Sequence, residues 1–160
     1  ADAINHPLKG LGLVGEYAMR KVQQRVMGES ITKSHPRLKK LAAILEEYAV
    51  EFSTQVDVLL RRHGKKIHLM QFAQKRIADI AIDMYAMACV LSRVTRSLEE
   101  KGGVEKCEIE LAIAEAFFLR ANRRVRDNFQ AIDRNDDDAM KFLAEKAYEL
   151  GKYPFDWLTE

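Results

Sequence analysis

The acidic run DRNDDD, from residue 133 to residue 138, is the part of this chain most similar to a metal-binding loop. Carboxylate and amide oxygens are the ligands that Ca²⁺ prefers, but a calcium loop needs glycine at its sixth position and glutamate at its twelfth. Asp138 and Ala144 occupy those two positions. We therefore predict that the run begins a helix with Asn135 as its cap, because the free amides at a helix start favour acidic side chains.

Histidine-based chemistry is not supported by the spacing of the residues. Di-iron sites in helical bundles use Glu-x-x-His pairs on facing helices. None of the four histidines, His6, His35, His63 and His68, has a glutamate three residues earlier. The sequence also has no glycine-rich phosphate loop and no nucleophile elbow. These patterns predict no catalytic residue, no cofactor-binding residue and no metal ligand on this chain.

Asp79 and Asp83 lie one helical turn apart, which is a spacing that a catalytic carboxylate pair could use. However, Lys75 and Arg76 precede Asp79 by four and three residues, and these spacings favour ion pairs along a helix. A perturbed carboxylate pKa is found in active sites, but structural ion pairs also perturb it. We therefore predict a structural role for both aspartates.

Two clusters of basic residues are candidates for binding an anion. They are Arg61, Arg62, Lys65 and Lys66 and, further along, Arg120, Arg123, Arg124 and Arg126. An acidic lipid headgroup, a phosphate or an acidic partner could bind to either cluster. The alternative is that these side chains are solvated or paired with glutamates of the next helix.

Size and composition indicate one domain of ordinary size. The chain has 160 residues, 48% of them hydrophobic, and a formal net charge of +2, so no nucleic-acid partner is expected. Cys89 and Cys107 have no metal-type spacing, and we expect free, buried thiols in a reducing compartment. The apolar run Ile77–Leu91 is too short and too charged to cross a bilayer. No secretory signal precedes the first helix. The chain begins at Ala1 without a methionine, and we therefore expect a piece of a longer protein.

The apolar periodicity predicts helices throughout and no strand. The predicted helices are Leu11–Met27, Pro36–His63, Lys66–Lys101, Glu105–Ile132 and a shorter one from Asn135 to Gly151. Ser34 should cap the second of these, because Pro36 follows it in the first turn. The expected fold is an all-α antiparallel helical bundle with an added N-terminal helix. The expected organisation is an N-terminal helix and linker at 1–34, the bundle at 35–152 and a C-terminal tail at 153–160.

The predicted helix Lys66–Lys101 is apolar around most of its circumference between Ile77 and Leu91, which is typical of the centre of a bundle. We expect Ile80, Met84 and Leu91 to be nearly inaccessible to solvent. The small residues Ala78, Ala81 and Ala88 should allow close helix approach. The other predicted core positions are Leu38, Leu41, Leu45, Tyr48, Phe52, Val56, Leu59, Leu60, Leu111, Ala114, Phe118, Ala121, Val125, Phe129, Ile132, Ala139, Phe142, Leu143, Ala147 and Leu150.

Several residues between Gly64 and Gly103 follow the pattern of a long helix in acyl-CoA dehydrogenases: Gly64, Ile67, Gln71-Phe72, Ala78-Asp79, Met84 and Leu91. The runs IDMYAM from Ile82 and VLSRVTRS from Val90 are similar to the extra C-terminal domain of very-long-chain acyl-CoA dehydrogenases and of a relative that also helps assemble respiratory complex I. Supporting matches lie at 12–16, 35–36, 59–66 and 153–155. Residues 103–151 match more weakly.

In that family the domain resembles a degenerate second copy of the catalytic helical bundle. It follows the flavin-binding core and favours a dimer over a tetramer. The catalytic glutamate and the residues around the flavin lie upstream of it. The family's Tyr-Glu-Gly-type catalytic turn has no counterpart here: Gly15-Glu16-Tyr17 has the reverse order, and we expect Glu16 on a helix surface. Gln71 matches a position near the flavin in the catalytic copy, but we do not predict a site there.

The resemblance thus implies a C-terminal non-catalytic domain of an FAD-dependent fatty acyl-CoA dehydrogenase, an enzyme that oxidises acyl-CoA to trans-2-enoyl-CoA. FAD would belong to the complete enzyme and not to this chain alone. The implied partners are the catalytic core of its own enzyme, further copies in a homo-oligomer and a membrane surface contacted peripherally. The implied location is the cytoplasm in a bacterium, or the mitochondrial matrix or inner-membrane surface in a eukaryote.

The alternative function is an independent helical scaffold, or a module that binds a partner or a membrane surface. If the chain is instead the C-terminal domain of an enzyme, the excised domain should retain an apolar or arginine-rich surface that lacks its partner. The candidates are the Phe117-Phe118 pair and the helix Leu11–Met27, and we expect weak self-association through Phe117 or Val14. The opposing interpretation is that Phe117 widens the core face next to Phe118.

Overall fold

The computed structural model describes residues 30–152, which form four α-helices joined by short turns. The helices are α1 (Lys39–His63), α2 (Gln71–Lys101), α3 (Glu108–Asp133) and α4 (Asp137–Leu150). Three short 3-10 turns cover Pro36–Leu38, Gly64–Leu69 and Val104–Lys106. Residues 30–152 contain no strand, so the prediction of an all-α bundle is confirmed. The predicted helix Leu11–Met27 and the tail 153–160 lie outside the described residues.

The ends of the helices follow the glycines and the proline, with differences from the prediction at the helix starts, where 3-10 turns precede α1, α2 and α3. His35, and not Ser34, caps the first turn: its Nδ1 atom accepts a hydrogen bond from the backbone amide of Arg37 at 3.2 Å. Ser34 lies one residue further out, and its hydroxyl donates to the carbonyl of Ile31. The helix predicted from Lys66 begins at Gln71, because the chain first makes a 3-10 turn after Gly64.

Side-chain contacts between the helices define the topology. Along α2 and α3 the paired residues run in opposite directions: Lys101 binds Glu110, Asp83 binds Arg124 and Arg76 binds Asp137 just beyond α3. Along α1 and α3 they run in the same direction, from Tyr48 with Asn122 to Arg62 with Asp133. Helix α2 is therefore antiparallel to α3, and α1 is parallel to α3.

The core lies between α1, α2 and α3. All seven residues of the apolar stripe predicted on α3 are buried, so that prediction is confirmed. Ile80 and Leu91 of α2 are buried as predicted. The buried apolar residues are Leu38, Ala42, Leu45, Tyr48, Leu59, Ile80, Met87, Leu91, Val94, Leu98, Cys107, Leu111, Ala114, Phe118, Ala121, Val125, Phe129 and Ile132.

The rotation of α2 about its axis differs from the prediction. Met84 is only partly buried and packs at the margin of the core, whereas Met87 is fully buried. Met87 lies seven residues after Ile80, almost two full turns, and so shares its side of the helix. The small residues Ala78, Ala81 and Ala88 are exposed, so the predicted close helix approach there is wrong for the described helices. The core prediction for Leu60 on α1 is also wrong, because its side chain is exposed.

Helix α4 does not contribute to the core. None of its residues is buried, and Phe142, Leu143 and Leu150 are exposed, so the predicted inward face is wrong within the described residues. The amphipathic pattern correctly predicts a helix. It did not reveal that the helix is attached to the bundle through its first turn.

Candidate functional site

The acidic run between α3 and α4 begins a helix, as predicted, but the N-cap position is Asp136 and Asn135 lies one residue before it. The Asn135 side-chain oxygen accepts a hydrogen bond from the backbone amide of Asp137 at 3.2 Å. Its side-chain nitrogen donates to the carbonyls of Ala131 and Ile132 at 2.9 and 3.2 Å. Asn135 therefore satisfies backbone groups at the end of α3 and at the start of α4, where each helix leaves such groups unpaired.

The carboxylates of the same run bind arginines. Both oxygens of Asp137 accept hydrogen bonds from Arg76, at 2.5 and 2.7 Å, and both side chains are largely buried. This bond from Arg76 lowers the pKa of Asp137 below its ordinary value. Asp133 binds Arg62 at 2.8 Å. Among residues 30–152 no group of three or more His, Cys, Asp or Glu side chains could hold a metal ion.

The ion pair between Arg76 and Asp137 predicts a specific pH dependence. Because the pKa of Asp137 is lowered in the folded state, its contribution to stability is complete above the ordinary value of 3.8 and is lost as the pH falls through the native pKa. We expect the difference in unfolding free energy between the parent and Asp137→Asn to narrow below pH 3.8. Urea denaturation at a series of pH values measures this difference.

Asp138→Asn is the matched control, because Asp138 is exposed and its one ion pair among residues 30–152 is with Lys141, at 3.6 Å. The unfolding free energy of Asp138→Asn should differ little from that of the parent throughout the pH series. If the difference in unfolding free energy between the parent and Asp137→Asn stays constant down to the lowest pH, the predicted pH dependence is wrong.

Asp79 and Asp83 both form ion pairs, and the partner of Asp79 was predicted from the sequence. Lys75 binds Asp79 at 2.6 Å, four residues apart, as expected. Arg76 does not pair with Asp79, because it binds Asp137. Asp83 is buried and accepts hydrogen bonds from Arg124, at 3.0 Å from Nε and 2.5 Å from Nη2. Such bidentate pairs are strong and geometrically specific, which supports a structural role.

Some members of the two basic clusters form ion pairs. Arg61 binds Asp57 at 3.0 Å and Arg62 binds Asp133 at 2.8 Å. In the second cluster Arg124 binds Asp83. The partners are aspartates and not the glutamates that were expected. Within the described part of the chain the remaining members form no ion pair: Lys65, Lys66, Arg120, Arg123 and Arg126.

A polar groove between α1 and α3 is the strongest candidate for an active site by its residue types. Tyr48, Glu47, Glu51, Asn122 and Arg126 line it. The Tyr48 hydroxyl donates a hydrogen bond to the Asn122 side chain. Burial raises the pKa of Glu51 and of Tyr48. The residues that line the groove include no histidine, serine or cysteine.

The two cysteines differ in environment. Both are free. Cys107 is buried, and its thiol donates to the carbonyl of Ser97 at 3.4 Å. Cys89 is exposed on α2, so the expectation of two buried thiols is wrong for this residue.

The α2–α3 hairpin exposes apolar side chains away from the core. We call Ile82, Tyr85, Cys89, Ile109 and Ile113 the hairpin face. The exposed fractions of Ile82 and Ile113 are 65% and 63%, and Tyr85 and Ile109 are more exposed still. Exposed apolar side chains of this kind are candidates for an interaction site.

Phe117 is not part of the hairpin face. It is partly buried and packs against the core, with its ring centre 6.4 Å from that of Phe118. The interpretation that Phe117 widens the core is confirmed. Val14, the other predicted contact residue, lies outside the described residues.

Within residues 30–152, no helix has the length and apolar character needed to span a bilayer.

The described residues therefore define a helical bundle in which Asp79, Asp83 and Asp137 form ion pairs and the hairpin face is exposed. The family described as "ACAD9/ACADV, C-terminal domain" matches residues 36–153. The chain belongs to this family, the C-terminal domain of acyl-CoA dehydrogenases of the very-long-chain type.

The similarity to individual curated proteins supports the same family assignment. The very long-chain specific acyl-CoA dehydrogenase of Rattus norvegicus, a mitochondrial protein, is 33% identical over 138 residues, which are 84% of this chain and 21% of that protein. The Mus musculus and Homo sapiens proteins of the same name are each 32% identical over 135 residues, which are 82% of this chain and 20% of each protein. The chain thus spans about a fifth of the length of the relatives it matches.

Proposed function

We propose that this chain is the non-catalytic C-terminal domain of an FAD-dependent fatty acyl-CoA dehydrogenase. In this role it packs against the catalytic core of its own enzyme and influences how many copies assemble. The complete enzyme would oxidise a fatty acyl-CoA to the trans-2-enoyl-CoA, in mitochondria if the source is a eukaryote and in the cytoplasm if it is a bacterium.

The hairpin face is the observation that carries this proposal. Ile82 and Ile113 are exposed on the two helices of one hairpin, and burying such side chains is favourable by about 1.5–3 kcal/mol each. About four fifths of each relative's length lies outside the matched segment. A core of that size in the same polypeptide is therefore the partner that we assign to the hairpin face.

The described residues do not fit a flavin. A flavin dinucleotide needs backbone amides or basic side chains around its pyrophosphate, usually at a glycine-rich helix start. Helices α1, α2 and α3 begin at Lys39, Gln71 and Glu108 without a glycine-rich loop, and the start of α4 carries Asp137 and Asp138. Gln71 is exposed. We therefore assign FAD and the catalytic base to the rest of the enzyme and derive no catalytic step from this chain.

A first experiment tests the non-catalytic role. The purified chain of 160 residues should show no flavin absorbance after incubation with FAD, and it should not reduce an electron acceptor with palmitoyl-CoA. Stoichiometric FAD binding or turnover by this chain would contradict the proposal.

A second experiment tests docking on the core in the complete enzyme. Ile82→Glu and Ile113→Glu place charges on the hairpin face, and we expect each to change the sedimentation coefficient or to lower the melting temperature of the core. Leu60→Glu is the matched control, because Leu60 is exposed on α1 and lies outside the hairpin face.

If all three variants assemble and melt like the parent, the hairpin face is not the docking surface. If the complete protein contains no flavin-binding core, the alternative of an independent scaffold or membrane-surface module replaces the proposal.

A further inference from the structure

Helix α4 is the one α-helix of residues 30–152 that contributes nothing to the buried core. None of its residues is buried, and none belongs to the partly buried side chains that pack against the core. Phe142, Leu143 and Leu150 are each more than half exposed. An isolated helix of 14 residues is marginally stable in water, because most helices in proteins are stabilised by packing of their apolar side. The contacts at the start of α4 are therefore important for its stability.

The connection from α3 to α4 consists of three residues, 134–136. Arg134 has extended backbone angles, φ −120° and ψ 92°, and Asp136 has φ −111° and ψ 21°. A few residues at the ends of helices can absorb the backbone rotation that turns one element against another. Rotation at 134–136 would change the direction of α4 without disturbing the packing of α1, α2 and α3.

The ion pair between Arg76 and Asp137 is the one that joins α4 to another helix within residues 30–152. Arg76 of α2 donates to both carboxylate oxygens of Asp137, at 2.5 and 2.7 Å. The two side chains are only 14% and 17% exposed. Such bidentate pairs are strong, and removing one partner leaves the other charge poorly solvated and unpaired. The pair therefore resists separation of α4 from α2.

The neighbouring charges do not duplicate this contact. Arg62 of α1 binds Asp133, which is the last residue of α3, so this pair holds the end of α3 and not α4. Lys141 of α4 binds Asp138 of the same helix. When Arg76 and Asp137 separate, no other ion pair among the described residues joins α4 to the bundle.

We propose that the pair Arg76–Asp137 is a latch: while it is closed it holds α4 in place, and when it opens α4 turns away at residues 134–136 and unfolds alone, with α1, α2 and α3 still packed. Proteins open locally in cooperative units, and units with few buried contacts open at the lowest free energy. The inference does not depend on the proposed function, because every residue in it belongs to the described helices and their connections.

Hydrogen exchange of the backbone amides, followed by mass spectrometry on the chain of 160 residues, tests the latch. We expect Arg76→Gln to exchange the amides of α4 severalfold faster than the parent does. The amides of α3 around Phe118 and Val125 should keep the rate of the parent, because both residues are buried in the core. Lys75→Gln is the matched control: it removes the same charge from the next residue of α2, and the partner of Lys75 is Asp79 on the same helix. Its α4 should exchange as in the parent.

A second variant opens the latch from the side of α4. We expect Asp137→Asn to accelerate exchange in α4 severalfold, whereas Asp138→Asn, which removes the same charge from the same turn, should have little effect. Arg76→Gln and Asp137→Asn remove the same contact, so their effects should not add. In the double variant α4 should exchange no faster than in the faster of the two single variants.

Four results would overturn the inference. In the parent, α4 would exchange like an unstructured peptide, so that no latch holds it, or it would exchange together with α3, so that it does not open alone. In Arg76→Gln and Asp137→Asn, exchange in α4 would stay at the rate of the parent, or exchange in α3 would accelerate as much as in α4. The last result would show that the pair stabilises the bundle as a whole.

Discussion

The Met87→Ala variant is expected to unfold with a free energy about 2–5 kcal/mol below that of the parent, because the change leaves a cavity in a packed core. Met87 is fully buried on the side of α2 that also carries Ile80 and Leu91. Urea denaturation followed by circular dichroism measures the difference. The total stability of a domain is about 5–15 kcal/mol, so this single change removes a large share of it.

Met84→Ala is the matched control on the same helix. Met84 is partly buried and packs at the margin of the core. Removing its side chain takes away less buried apolar area, and solvent can enter the space, so the loss should be clearly smaller than at Met87. Equal losses at the two positions would show that the rotation of α2 described above is wrong.

The Phe118→Ala variant should lose about 3–5 kcal/mol of unfolding free energy, because it removes the largest fully buried side chain of α3. Phe118 lies in the middle of the stripe that α3 presents to the core. The loss should appear as a lower urea midpoint with an unchanged slope, since the surface exposed on unfolding changes little.

Phe117→Ala provides the comparison for Phe118. Phe117 contacts the core from its edge and keeps part of its ring in solvent. We expect Phe117→Ala to lose less unfolding free energy than Phe118→Ala and to keep the sedimentation coefficient of the parent. If the two phenylalanines contribute equally, or if Phe117→Ala alters self-association, Phe117 would be an interface residue after all.

Features that depend on neighbours along the chain could be predicted from the sequence. The spacing of apolar residues located the helices and the buried stripe of α3, because a helix repeats every 3.6 residues wherever it lies. The pair Lys75–Asp79 and the hydrogen bonds of Asn135 form between residues two to four positions apart. The absence of catalytic spacings and the similarity to acyl-CoA dehydrogenases also came from the sequence, and the family assignment is confirmed.

Features that depend on residues far apart in the chain were decided only by the tertiary structure. Periodicity shows that a helix has an apolar side, but the neighbouring helices determine which residues at its margin are buried, as Met84 and Met87 illustrate. Arg124 reaches Asp83 across 41 residues, and Arg76 reaches Asp137 across 61. No local pattern encodes these pairs, because each depends on the packing of two separate helices. The same reason applies to α4: its sequence specifies an amphipathic helix, while the ion pair at its first turn comes from Arg76 on another helix.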